Sequence, residues 1–158
     1  MKKLFLTVVT LLGIIVSSEA QEISKNALGL RLGDSDGLGT EITYQRALGD
    51  NNRLEIDLGW RNGNGFDGFK ATGLYQWVWT LDGRFNWFTG FGGGFGSYSF
   101  DDDTIDDDTF LFAAGVVGIE YNFEIPLLIS LDVRPELGFG DFRDDLDFDI
   151  ALGIRYQF

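Results

Sequence analysis

Apolar and polar residues alternate with period two along most of the chain. The pattern is cleanest at the end. There Phe148, Ile150, Leu152, Ile154, Tyr156 and Phe158 fall on one face, and Asp147, Asp149, Ala151, Gly153, Arg155 and Gln157 on the other. Strict alternation predicts a β-strand with a different environment on each side. Eight such stretches are read: 27–32, 40–48, 53–61, 68–80, 85–96, 109–123, 127–137 and 147–158. The connectors 49–52, 81–84 and 124–126 are tight turns. Those at 33–39, 62–67, 97–108 and 138–145 are longer and acidic. The prediction is an all-β chain of four antiparallel hairpins, with short turns on one rim and long loops on the other.

No charge interrupts the apolar faces, which carry Leu28, Leu30, Ile42, Ile56, Leu58, Phe91, Val117, Ile119, Leu131 and Val133 among others. The opposite face collects Arg31, Glu41, Arg53, Glu55, Asp57, Arg61, Lys70, Glu120, Asp132, Arg134, Glu136, Asp147, Asp149 and Arg155, nearly balanced in sign. Charges of both signs sharing one face fit a water-poor interior in which they pair. With the first strand running outward, Tyr44, Trp77, Trp79, Phe85, Trp87, Tyr121, Phe123, Tyr156 and Phe158 gather at the turn end. Trp60, Phe69 and Phe95 gather at the loop end. Two aromatic girdles are what a membrane interface selects on a spanning barrel. The fifth strand departs from the pattern, with Gly90, Gly92, Gly94 and Gly96 on its inward face. These make room for large neighbours such as Leu74, Phe88 and Phe112, or leave a small lumenal cavity toward the loop end. Pro135 cannot donate a ladder bond, so a bulge is expected there.

The N-terminus reads differently. Lys2 and Lys3, an apolar run over 4–16 and the small-x-small site Ser18-Glu19-Ala20 form a signal peptide over 1–20, leaving one domain over 21–158. Export without a single cysteine removes disulfides as a source of stability. No apolar run is long enough for a spanning helix, whereas a closed barrel in lipid pairs every backbone group. The mature charge is −14: 12 Lys+Arg less Lys2 and Lys3, against 25 Asp+Glu less Glu19. A balance this acidic argues against nucleic acid as a partner.

Twelve of those acids lie in the long connectors: Asp34, Asp36, Asp67, Asp101, Asp102, Asp103, Asp106, Asp107, Asp108, Asp141, Asp144 and Asp145, offset by Arg143. A divalent cation could be held weakly by Asp101, Asp102, Asp103, Asp106, Asp107 and Asp108, since hard oxygen ligands suit Ca²⁺ or Mg²⁺. The run lacks the glycine and glutamate spacing of an EF-hand, and a solvated, self-repelling loop explains it as well. No other cofactor is implied. Catalysis is not expected, because the chain has neither histidine nor cysteine to serve as a base or nucleophile near neutral pH.

Eight short strands, a polar interior, aromatic girdles and the terminal Phe158 resemble the small eight-stranded bacterial outer-membrane β-barrels. The stretches 87–96 and 131–136 look like the Bacteroidota-type outer-membrane proteins. The resemblance implies an eight-stranded antiparallel up-and-down transmembrane β-barrel with a polar, side-chain-filled lumen, placed in the bacterial outer membrane. Its implied partners are outer-membrane lipid and lipopolysaccharide, with the barrel-assembly machinery during insertion. The site residues it marks are the lumenal set Arg31, Glu41, Glu55, Asp57, Lys70, Glu120, Asp132, Arg134, Glu136, Asp149 and Arg155, and the interfacial aromatics Tyr44, Trp60, Trp77, Trp79, Trp87, Tyr121, Tyr156 and Phe158. A structural or surface-interaction role follows. A wide porin does not, because eight strands leave room only for their own side chains. Two alternatives stand beside this reading: a narrow passive channel, and a secreted or periplasmic lipocalin-like barrel whose apolar face lines a ligand cavity.

Overall fold

The computed structural model describes residues 23–34, 39–63, 66–100, 108–139 and 146–158. They form eight strands: β1 (Asn26–Asp34), β2 (Gly39–Ala47), β3 (Asn52–Gly63), β4 (Phe66–Asp82), β5 (Phe85–Phe100), β6 (Asp108–Asn122), β7 (Leu127–Phe139) and β8 (Leu146–Gln157). Each pairs antiparallel with its sequence neighbour, and β8 returns to β1, closing the barrel. The seam runs from Ala27 opposite Gln157 to Asp34 opposite Ile150. Asn26 and Phe158 extend it by exchanging two backbone hydrogen bonds of 3.0 and 2.9 Å. Closure leaves no sheet edge to be satisfied by water or another chain.

The predicted strands are all present, but the central hairpins run further toward the loop end than alternation suggested. Phe66 pairs with Phe100 and Tyr98 with Asp108, inside stretches read as loop. Ser97, Ser99 and Asp67 made these stretches look like turn sequence, yet the ladder continues through them because neighbouring strands supply partners. Asp34, Asp67 and Asp108 accordingly belong to strand ends. At the turn end, the β4–β5 hairpin carries a register shift between Thr80 and Asp82. Gly83 closes it with φ of 53°, a conformation that costs glycine little.

The bulge expected at Pro135 is not found. Register across β7 is constant on both sides of it. Pairing with β6 simply lapses at Gly115 and Val116, where the missing N–H removes a rung. Gly115 accommodates the proline, since a Cβ there would come within 3.3 Å of the ring.

The alternation places environments as predicted. Leu28, Leu30, Ile42, Ile56, Phe91, Val117, Ile119, Leu131, Ile150 and Ile154 are exposed on the outer face, while Arg31, Arg53, Arg134 and Arg155 are fully buried inside. The apolar face therefore does not line a cavity as a lipocalin-like calyx would require. The interior is two-sided. Leu74, Val78, Phe88, Phe110, Phe112, Ala114 and Val116, all from β4–β6, form an apolar cluster. The ionic side chains come mainly from β1–β3, β7 and β8. The glycine stripe on β5 is packing relief, not the cavity considered above. A Cβ at Gly92 would strike the backbone of β4, one at Gly94 would sit 2.6 Å from Phe112, and one at Gly96 would meet the Phe110 ring.

Candidate functional site

Strand alternation turns the predicted lumenal residues inward, and tertiary closure brings them within bonding distance. Arg31, on β1, donates from Nη1 to Glu41 Oε2 at 3.0 Å and to Asp149 Oδ2 at 2.6 Å, and from Nη2 to Asp132 Oδ1 at 2.6 Å. Its three partners lie on β2, β7 and β8. Arg134, on β7, faces Glu41 at 3.4 Å, Glu55 at 3.3 Å and Asp57 at 2.5 Å. Arg155, on β8, donates to Glu55 Oε2 at 3.0 Å, Ser130 Oγ at 2.7 Å and Thr43 Oγ1 at 3.2 Å. Glu41 and Glu55 are each shared between two arginines, so the three guanidinium groups and five carboxylates form one network. Arginine suits such a hub because its five donors sit in a fixed planar fork.

Two further ion pairs stand against the apolar half. Arg53 Nη1 lies 2.7 Å from Glu120 Oε2, and the guanidinium stacks 4.7 Å over the Phe88 ring. Gln76 accepts from Arg53 Nε at 2.6 Å, and Asn86 donates to Glu120 at 3.2 Å. Lys70 Nζ contacts Glu136 Oε1 at 2.5 Å and stands 5.0 Å over Phe112. In each case a cation already paired with a carboxylate also uses an aromatic face, which attracts it through the ring quadrupole.

All eleven lumenal residues singled out from the sequence lie inside the barrel, with Arg53 completing the charged set. Thr43, Gln45 and Gln76 are additional network members. They carry no charge, and only their inward parity in the strand could have marked them. The described charged interior has five cations (Arg31, Arg53, Lys70, Arg134, Arg155) and seven acids (Glu41, Glu55, Asp57, Glu120, Asp132, Glu136, Asp149), leaving two more acids than bases. Oδ1 of Asp57, Oδ1 of Asp149 and Oε2 of Glu136 are buried without a hydrogen-bond partner.

Space inside is small. A loop-end cavity of about 20 Å³ is bordered by Arg31, Glu41, Lys70 and Asp149, with glycines at 33, 39, 59 and 68. It lies on the β1–β4 side and not along the β5 glycines. A turn-end cavity of about 10 Å³ lies beneath Ile23, beside Arg53, Asn86 and Glu120. Each holds about one water. Between them the ionic network and the aromatic cluster fill the section.

On the outer face the aromatics form the two predicted belts. Trp79 stacks on Trp87 with centroids 4.6 Å apart. Phe85, Tyr121 and Phe123 form a T-shaped chain at 4.7 and 4.6 Å, and Tyr156 lies 6.2 Å from Phe158. At the loop end Trp60, Phe69 and Phe95 follow one another at 5.8 and 6.1 Å. Tyr44 belongs to the turn-end belt and donates to Asn26 Oδ1 at 2.8 Å. Trp77 packs between Tyr75 and Phe91.

Chemically the lumen is a set of mutually paired charges. Ser130 Oγ faces the guanidinium of Arg155, which cannot act as a base. Of the candidate metal ligands, Asp101, Asp102, Asp103, Asp106 and Asp107 lie outside the described residues, while Asp108 opens β6 opposite Tyr98. Among the described residues no group of three or more acids is placed to hold a metal ion.

No family model and no curated protein matches the chain. Solved structures do. The N-terminal β-barrel domain of Pseudomonas aeruginosa OprF is 12% identical, with 87% of this chain and 100% of that one covered and a TM-score of 0.74. Neisserial surface protein A (NspA) is also 12% identical, with coverage of 84% and 94% and a TM-score of 0.63. A de novo designed transmembrane β-barrel is 13% identical, with coverage of 89% and 100% and a TM-score of 0.60. At these identities the likeness establishes the fold, and the fold is the closed eight-stranded barrel of the small outer-membrane proteins.

Proposed function

We propose that the chain is an integral barrel of the bacterial outer membrane, exported by its N-terminal 20 residues, with a structural or surface-interaction role and no enzymatic activity. The observation that carries this reading is the reversal of inside and outside. Large apolar side chains, aliphatic on β1–β3 and β6–β8 and aromatic on β5, are exposed on the outer face, while four arginines are completely buried. In water that surface would aggregate; in hydrocarbon it is the favourable one, and a charge there would cost roughly 2–4 kcal/mol at the bilayer midplane. The aromatic belts at both rims support the same placement. The turns then face the periplasm and the acidic loops face outward, where they meet lipopolysaccharide and any external partner. Neisserial surface protein A, by its name, is a surface protein, which favours an outward-facing role for a barrel of this shape. The designed barrel shows that the fold alone carries no role, so the acidic loop end bears the functional reading.

Fractionation of expressing cells, with electrophoresis of boiled and unboiled samples, tests the placement. A folded barrel stays compact in cold detergent and shifts on boiling, in the outer-membrane fraction. A soluble protein ends the proposal. Planar-bilayer recording of refolded protein tests the filled lumen. A reproducible unitary conductance would replace the structural reading with the narrow-channel one.

A further inference from the structure

We propose that the loop-end mouth of the lumen binds the primary ammonium group of a small linear polyamine. This deepens the surface-interaction reading above and rests on it. Four adjacent strands, β1 to β4, place glycine at the loop end of their inward faces (Gly33, Gly39, Gly59 and Gly68), and these glycines border a cavity of about 20 Å³. That admits one group the size of a water molecule, and an ammonium head is of that size with three donors to place. Asp149 borders the cavity and is only 5% exposed. Its Oδ2 is taken by Arg31, but its Oδ1 is buried with no partner. Such a carboxylate oxygen costs free energy until a donor reaches it.

Charge selects the sign of that donor. Arg31 and Lys70 border the cavity, but their cations are already answered by Glu41, Asp132, Asp149 and Glu136. The described interior holds two more acids than bases, and the Asp-rich connectors join the strands at this same end. A multiply charged amine is therefore drawn to the mouth. Lys70 provides an internal precedent: its ammonium is held by Glu136 and rests over Phe112 within the same lumen. A divalent metal fits less well, because it demands six or more oxygens, and no described group of three acids is arranged for one.

Calorimetric titration of spermidine into the refolded full chain in detergent micelles tests the site. Saturable binding of one spermidine per chain is expected. Asp149→Asn removes the charge at nearly constant shape. Gly59→Val adds bulk at the cavity wall and no charge of its own, its Cβ coming within 3.1 Å of Glu41 Cγ and 3.5 Å of Glu41 Oε1. Each should weaken binding by about tenfold or more, with folding checked by the shift on boiling; if Asp149→Asn fails to fold, Gly59→Val decides alone. Absence of binding overturns the proposal. So does binding that survives Gly59→Val, or that magnesium chloride reproduces, since either puts the cation on the outer loops. A barrel that fractionates with the outer membrane but binds no spermidine removes this site and leaves the proposed function standing.

Discussion

The two halves of the lumen solve the same packing problem with opposite chemistry. Along β4–β6 the interior is filled by Leu74, Val78, Phe88, Phe110 and Phe112, with glycines making way for the rings. Across from it, Arg31, Arg134 and Arg155 bind five carboxylates in a shared network. Outside the barrel both halves show the same apolar surface. The exterior environment therefore does not dictate what the interior must be, provided the inside is filled and its charges are paired. The apolar half gains from dispersion and burial, as any core does. The ionic half gains little net energy, because desolvation offsets attraction, but it penalises wrong partners heavily. Register on that side is accordingly the better specified.

Breaking one hub of the ionic half should have the largest effect. Arg134→Leu leaves Glu41, Glu55 and Asp57 short of a cation, at a cost of about 3–5 kcal/mol, measurable by urea unfolding in lipid vesicles. Replacing Arg134 together with Glu41 and Asp57 by apolar residues of similar volume should recover most of that loss. If the triple variant is as unstable as the single one, the account of the ionic half is wrong. In the apolar half Phe112→Ala should cost about 3 kcal/mol, and the same titration reads it. It should also lower the stability contributed by Lys70, whose ammonium lies over that ring. A double-mutant cycle with Lys70→Met would show coupling between the halves.

Smaller effects follow where the halves meet the strand backbone and the rim. Gly92→Ala pushes a Cβ into the carbonyl of Gly73 and within 2.9 Å of Leu74 Cα, so overpacking of about 1–3 kcal/mol is expected. A neutral result would mean that β5 is not held tightly against β4. At the turn end Arg84→Ala breaks the pair with Glu124 at 3.0 Å, both partners solvent-accessible, and should shift stability by less than about 1 kcal/mol. An effect as large as that of Arg134→Leu would erase the distinction between buried and rim ion pairs.

The strand count, the faces and the inward positions of the charges were legible in the sequence because period-two alternation is a local property of the backbone. Asp149 and Arg155 are inward because Phe148 and Tyr156 are outward. Legibility failed where both faces are apolar, as from Phe110 to Val117 on β6. There alternation gives no contrast, and the apolar half of the lumen was not foreseen as a unit. It failed also at Pro135, where a missing donor suggested a bulge. The structure removes one rung and keeps the register, because β8 still pairs on the other side.

The sequence by itself determined that this chain is a strand meander with an apolar exterior, a charged interior and acidic loops. Those features depend on neighbours two residues apart. Only the tertiary structure decided which charge meets which, that Glu41 and Glu55 each serve two arginines, and that the free space lies beside Asp149 and not along the β5 glycines. Partners across a barrel are set by closure and stagger among all eight strands, a condition no single stretch of sequence contains.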